Sequence, residues 1–214
     1  MSNLLIAVSI FLLSHIIPSY RPLREAIVHK MGERFFMSAY GVLSLILFIW
    51  LIAAYLQAPY IELWSVQSWM KTLTLFIMFW VCLLLVCTFS QANPFSIGIG
   101  GKKFDPQKAG IVSLSKHPGF LAFALWSIAH MIPNGDVASM IFFGLMCALS
   151  LYGPKSLNDK RQSQLGMDKW RELNNQTLRK SPYVGWWRWG VAIILYMGLL
   201  HAHGPVIGVV PYWW

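Results

Sequence analysis

The chain has 214 residues, 57% of them hydrophobic and only 12% charged, with a mean hydropathy of +0.54 and a formal net charge of +9. A water-soluble chain needs about a quarter of its residues charged to cover its surface, so a soluble globular domain is excluded, and disulfide scaffolds and disordered tails fall with it. A nucleic-acid module is excluded too, because the basic residues are parcelled out among loops instead of gathering on one face.

Six stretches carry no Asp, Glu, Lys or Arg: residues 4–17, 35–56, 72–89, 118–132, 137–153 and 189–214. Roughly 30 Å of hydrocarbon is crossed by about 20 helical residues, and the pattern therefore predicts an all-α integral membrane protein with six transmembrane helices in one domain, residues 1–214. The first stretch is expected to stay in the mature protein, since its basic residues follow the apolar run and no A-x-A-like cleavage site is visible. His29, in the basic connection after it, reads as solvated. The third stretch holds Cys82 and Cys87, on different helix faces, and the fifth holds Cys147; no C-x-x-C pair is present, and buried filler is the expectation for all three.

Gly98, Gly100, Gly101 and Lys102 lie in SIGIGGKK, whose spacing is not that of a phosphate-binding Walker loop; a flexible inner loop touching lipid headgroups is the expectation. The fourth and fifth stretches are short and joined by Pro133-Asn134-Gly135-Asp136, a tight turn with Asp136 placed to cap the next helix. Fifteen residues rise only about 22 Å, so this hairpin is expected to stop short of a full crossing. Residues 158–178 are polar, with Leu165, Met167, Trp170 and Leu173 available to rest on the membrane surface as an amphipathic helix.

The loops set the orientation. Sixteen of the seventeen Lys and Arg residues fall in alternate connections, Lys71 being the exception, and such residues accumulate on the cytoplasmic side. Both termini are then outside. Trp186, Trp187 and Trp189 would mark the inner interface, and Tyr212, Trp213 and Trp214 the outer one.

Histidine is the informative residue, because ionisable groups within a bilayer are costly and usually functional. His15 is near the inner end of the first span, His117 opens the fourth, His130 follows thirteen residues later, and His201 and His203 close the sixth. The spans contain no acidic residue, so carboxylate-rich metal and proton-relay sites lack their ligands. What remains suits an imidazole-ligated haem iron, held noncovalently. Depth along the helices pairs His15 with His117 and His130 with His201 or His203. No Ser-His-Asp arrangement is available, because the Asp residues lie in loops.

The segments SHIIPSYRPLR, GERFFMSAYGVLSL, NPF, GIVSLSKHPGFLAFALWSIAHMIPNGD and TLRKSPY, in that order, resemble the NnrU family of bacterial membrane proteins, which includes the 15-cis-ζ-carotene isomerases. The resemblance implies a haem b protein of the bacterial inner membrane. NnrU itself is associated with nitric oxide and denitrification genes. In the isomerases two histidines ligate the haem, and reduction frees one iron position for a polyene double bond. On this chain those ligands match His15 and His130. The isomerases' alternative cysteine ligand falls at Ser127, and the family's Arg-His-Pro is Lys116-His117-Pro118, which places His117 with the cofactor-binding residues. The implied partners are the lipid bilayer and a lipophilic polyene or nitric oxide; the redox partner is not specified.

A second resemblance joins GIVSLSKHPGFLAFALW to the isoprenylcysteine and phospholipid methyltransferases, where this segment helps bind S-adenosylmethionine. The paired acidic residues that follow it there are missing from NDKRQSQLG. A membrane methyltransferase and a haem electron-transfer or accessory protein in denitrification are thus the alternatives to an isomerase-type enzyme. The topology has its own test: reporter fusions after Ile61 and after Trp214 should both read as external, and a cytoplasmic signal at either contradicts it.

Overall fold

The computed structural model describes residues 1–16, 20–101, 103–177 and 181–211. The described residues form eight α-helices and two short 3-10 turns, with no strand. These are α1 (Ser2–Ile16), α2 (Arg21–Met31), α3 (Glu33–Leu56), α4 (Ser68–Ser90), α5 (Pro118–Asn134), α6 (Val137–Leu165), α7 (Met167–Thr177) and α8 (Trp186–Ile207). Four of them, α3, α4, α6 and α8, are long and apolar enough to cross a membrane. They correspond to four of the six expected spans. α1 is apolar but has 15 residues, and α5 has 17. The outer belt of Tyr212, Trp213 and Trp214, together with Lys102, lies outside the described residues.

Two elements differ from the sequence reading. The basic connection after the first span is a helix, α2, with Pro22 in its first turn and Gly32 ending it at φ 81°; Pro at a helix start and Gly at its end are local signals for these boundaries. His29 lies in its last turn. The expected surface helix over residues 158–178 is two pieces: α6 continues through Pro154 to Leu165, and a separate α7 begins after Gly166, whose φ of 83° no β-carbon-bearing residue adopts easily.

The chain packs as two compact units, residues 1–64 with 136–142, and residues 65–135 with 143–214. In the first, α1 lies on α3 and buries Leu4, Ala7 and Phe11. Tyr55 of α3 bonds the Ser139 hydroxyl at 2.9 Å and stacks on Phe142, with ring centres 4.8 Å apart. Asp136 caps α6 as expected, accepting from the Ser139 amide at 3.0 Å and from its hydroxyl.

In the second unit α4 is the centre, packed against both α5 and α8. Its core joins Val81, Leu83, Leu84 and Cys87 to Phe95, Ile111, Val112, Ala122, Val184 and Ala192. Cys82 and Cys87 are buried free thiols, as their surroundings predict, and Cys147 is half-buried. Outward-facing positions are apolar as well, with Ile194 of α8 73% exposed, the arrangement of a helix whose solvent is lipid.

The glycine-bearing segment after α4 is folded around Asn93. The Asn93 amide donates to Gly100 O at 2.9 Å, its side chain donates to Lys116 O at 3.0 Å, and its Oδ1 receives the Phe95 amide at 2.9 Å. These bonds pin the segment expected to be a flexible loop. Gly98, at φ 126°, approaches the Thr88 carbonyl so closely that a Cβ there would lie 2.3 Å from its oxygen.

Candidate functional site

Pro133 sits in the last turn of α5. Having no N–H, it cannot donate to the carbonyl of Ala129 four residues back. Thr74 of α4 fills that place: its hydroxyl is 2.8 Å from Ala129 O and 2.9 Å from Met70 O. One residue along, the Asn134 side chain donates to the His130 carbonyl at 2.6 Å. The turn carrying His130 is thus held in part by side chains, and it ends at Gly135 in a left-handed conformation.

The His130 Nδ1 lies 2.8 Å from Trp126 O. A carbonyl only accepts, so Nδ1 carries the proton and, in the neutral ring, Nε2 keeps a lone pair. No hydrogen bond to Nε2 occurs among the described residues. The ring lies against Trp126 and Phe143, with centres 5.3 and 5.1 Å away. It faces a cavity of about 60 Å³ lined by Thr74, Met78, Cys82, Tyr196 and His203, among others.

His203 of α8 is the histidine that the fold brings to His130. Their ring centres are 6.4 Å apart and their planes 21° from parallel. The Nδ1 of His203 donates to Val209 O at 2.7 Å, which leaves its Nε2 with the lone pair. Two imidazoles on opposite sides of one metal, at about 2 Å each, hold their ring centres roughly 6 Å apart, so the spacing suits a shared metal in that arrangement. His201 faces away as an exposed side chain, its Nδ1 bonded to Met197 O at 2.8 Å. The sequence had placed both at the end of the last span; only the packing of α8 on α4 selects between them.

His15 lies in the first unit at the end of α1. Its Nδ1 donates to Phe11 O at 2.8 Å, and the ring packs 4.3 Å from Phe11 and edge-on to Tyr40 at 5.9 Å. Ser127 is fully buried and donates its hydroxyl to Phe123 O at 2.8 Å.

His117 is a different kind of residue. It stands at the mouth of α5, 6% exposed, with both ring nitrogens engaged: Nε2 with Asn158 Oδ1 at 3.0 Å and Nδ1 with the Ser96 hydroxyl at 3.0 Å. Since the amide oxygen only accepts, Nε2 donates and Nδ1 accepts from Ser96. Arg161 donates to the Ser96 carbonyl at 3.2 Å. Lys116 places its ammonium 4.7 Å from the centre of the Trp170 ring. Asn158 and Ser96, 41 and 21 residues from His117, open the segments NDKRQSQLG and SIGIGGKK, neither of which pointed to a bond with His117.

Whether these residues suit a haem is a question of donor chemistry. Among the described residues no group of three or more His, Cys, Asp or Glu is placed to hold a metal ion. Two imidazoles leave most of a metal's coordination positions to other donors, and a porphyrin supplies four of them. Nδ1 bonded to a carbonyl, which fixes the ring and raises the basicity of Nε2, is the usual outer support of a metal-binding histidine. The donors fit; the 60 Å³ cavity takes the edge of a ligand rather than a whole macrocycle.

Fold and site together define an α-helical membrane protein with paired imidazoles in an apolar cavity. A family model described as NnrU protein matches residues 3–211, and the chain belongs to the NnrU family. No curated protein matches it, and no solved structure does.

Burial holds the His117 pKa below the ordinary value for histidine; the bond to Asn158 opposes that shift and the Lys116 charge adds to it. With the folded value lowered, the unfolded chain binds more protons just below about pH 6.5, so stability rises with pH through that window and is lost on acidification. His117→Gln should therefore flatten the fall in melting temperature between about pH 7 and pH 5. An unchanged slope contradicts the assignment.

Proposed function

We propose that the chain is a haem b protein of the bacterial inner membrane, with His15 and His130 as iron ligands. The observation that carries the reading is His130, which lines an apolar cavity and keeps its Nε2 lone pair while the Trp126 carbonyl fixes its tautomer. His15 enters through the family resemblance and has the same bond from Nδ1 to the carbonyl one turn back. His117, with both nitrogens taken, enters by holding the entrance of α5 and not as a metal donor.

We count α1 and α5 with the four long helices as spans, six in all, with both termini outside, on the distribution of Lys and Arg. At about 22 and 26 Å they are short for a ~30 Å core.

Bound haem would supply a redox-active iron, reached by a polyene double bond or nitric oxide when one histidine lets go, or serving electron transfer when both stay. His130 is the residue fitted to let go. Pro133 removes one backbone bond from its turn, and the substitutes are side chains of Thr74 and Asn134. His203 gives a specific second pairing, on the strength of its 6.4 Å ring separation from His130.

Spectra of purified variants test the assignment. His130→Ala should convert a six-coordinate low-spin haem to a five-coordinate one that binds carbon monoxide when ferrous without displacing a ligand. Loss of the low-spin spectrum in His15→Ala but not His203→Ala supports the family pairing, and the reverse supports the second. His29→Ala should change nothing. A wild-type spectrum in His130→Ala overturns the proposal, and binding of S-adenosylmethionine by a haem-free protein selects the methyltransferase reading.

A further inference from the structure

A second cavity in the second unit has no histidine in its lining. It is a crevice of about 480 Å³ between the segment after α4 and the approach to α8, lined by Lys103, Phe104, Asp105, Lys108, Tyr183 and Arg188, among others. That volume is within the usual range for a small-molecule site. Three cations face one carboxylate, so positive charge is in excess in the lining even with Asp105 counted; Asp105 Oδ1 receives the Gln107 amide at 2.9 Å.

The charge is also built in. Arg188 is fixed by bonds from Nε to the Ser90 hydroxyl at 2.8 Å and from one terminal nitrogen to the Ser90 carbonyl at 3.0 Å; the other terminal nitrogen donates to Val184 O. All its acceptors are neutral. Among the described residues the one ion pair is Arg24 with Glu33, so neither Arg188 nor either lysine has a carboxylate partner. A half-buried guanidinium held in place without a counter-charge is a standing attraction for an anion.

Location identifies the kind of anion. Arg188 belongs to the first turn of α8, a helix able to cross a membrane, and its neighbours Trp186 and Trp187 are 81% and 42% exposed. Exposed tryptophans at the end of such a helix mark headgroup depth. Beyond them α8 presents outward-facing Val191, Ile194 and Met197 along which acyl chains can lie.

We propose that this crevice is a binding site for a phosphate ester, with Lys103, Lys108 and Arg188 as its cationic contacts and the headgroup of an acidic phospholipid as the source its depth favours. Basic pockets beside transmembrane helices recognise such headgroups by charge and fit together.

Native mass spectrometry of the full chain in detergent, with added phosphatidylglycerol or phosphatidylcholine, tests this. Phosphatidylglycerol should be retained in preference, and the Lys103→Ala/Lys108→Ala double variant should reduce its occupancy about tenfold. Both lysines are exposed, so the fold should persist, which a thermal melt checks; Lys71→Ala, outside the crevice, should bind as the wild type does. A second arm adds millimolar inorganic phosphate. Failure to displace the lipid supports the headgroup, whereas displacement, or phosphate binding without lipid, retains the phosphate site and overturns the lipid source. Equal retention of both lipids, or undiminished binding by the double variant, overturns the proposal.

Discussion

A polar side chain within a hydrocarbon-facing helix has no water to bond, and leaving it unpaired is costly. In this protein the partner is repeatedly the carbonyl one turn back. The hydroxyls of Ser9, Thr88, Ser127 and Ser150 donate to the carbonyls of Leu5, Leu84, Phe123 and Met146. The histidines obey the same constraint: His15, His130 and His201 each place Nδ1 at 2.8 Å from the carbonyl of residue i−4. For a hydroxyl this only satisfies a group. For an imidazole it also selects the tautomer, with the proton on Nδ1 and the lone pair on Nε2. The demand of the apolar surroundings thus prepares a ligating nitrogen before any cofactor is considered.

Tertiary structure then separates histidines with the same local bond. His130 lines a cavity, and beside it Pro133 leaves the Ala129 carbonyl without its backbone donor and Thr74 of α4 takes that place, tying α5 to α4 at that level. Tyr196 of α8 donates to the Leu75 carbonyl at 3.2 Å, next to Thr74 in the chain, and so brings α8 to the same stretch of α4. His203, later on α8, arrives beside His130; His201, two residues earlier, points elsewhere. His117, outside the apolar part of α5, meets hydroxyl and amide partners instead, and both its nitrogens are used.

Much of this was legible in the sequence because it depends on local rules. Absent charge located the long helices, Asp136 was readable as a cap, and His130 stood out as an ionisable residue in an apolar run. The helix α2 was hidden because its polarity resembles that of a loop, although Pro22 and Gly32 marked its ends. The division of α6 from α7 turned on Gly166 alone, within a polar stretch that gives no periodic warning. Depth along the helices brought His130 level with His201 and His203 but could not choose between them, and the pairing of His117 with Asn158, 41 residues on, was out of reach because it requires the relative placement of helices.

The central claim is that these prepared nitrogens hold an iron cofactor. Its most direct test is the optical spectrum of the wild-type chain purified from haem-sufficient cells, with iron and noncovalent haem quantified per chain. A Soret band with the split visible bands of a low-spin b-type haem on reduction, at close to one haem per chain, is the expected result. A colourless protein that stays colourless after incubation with haem would contradict the account.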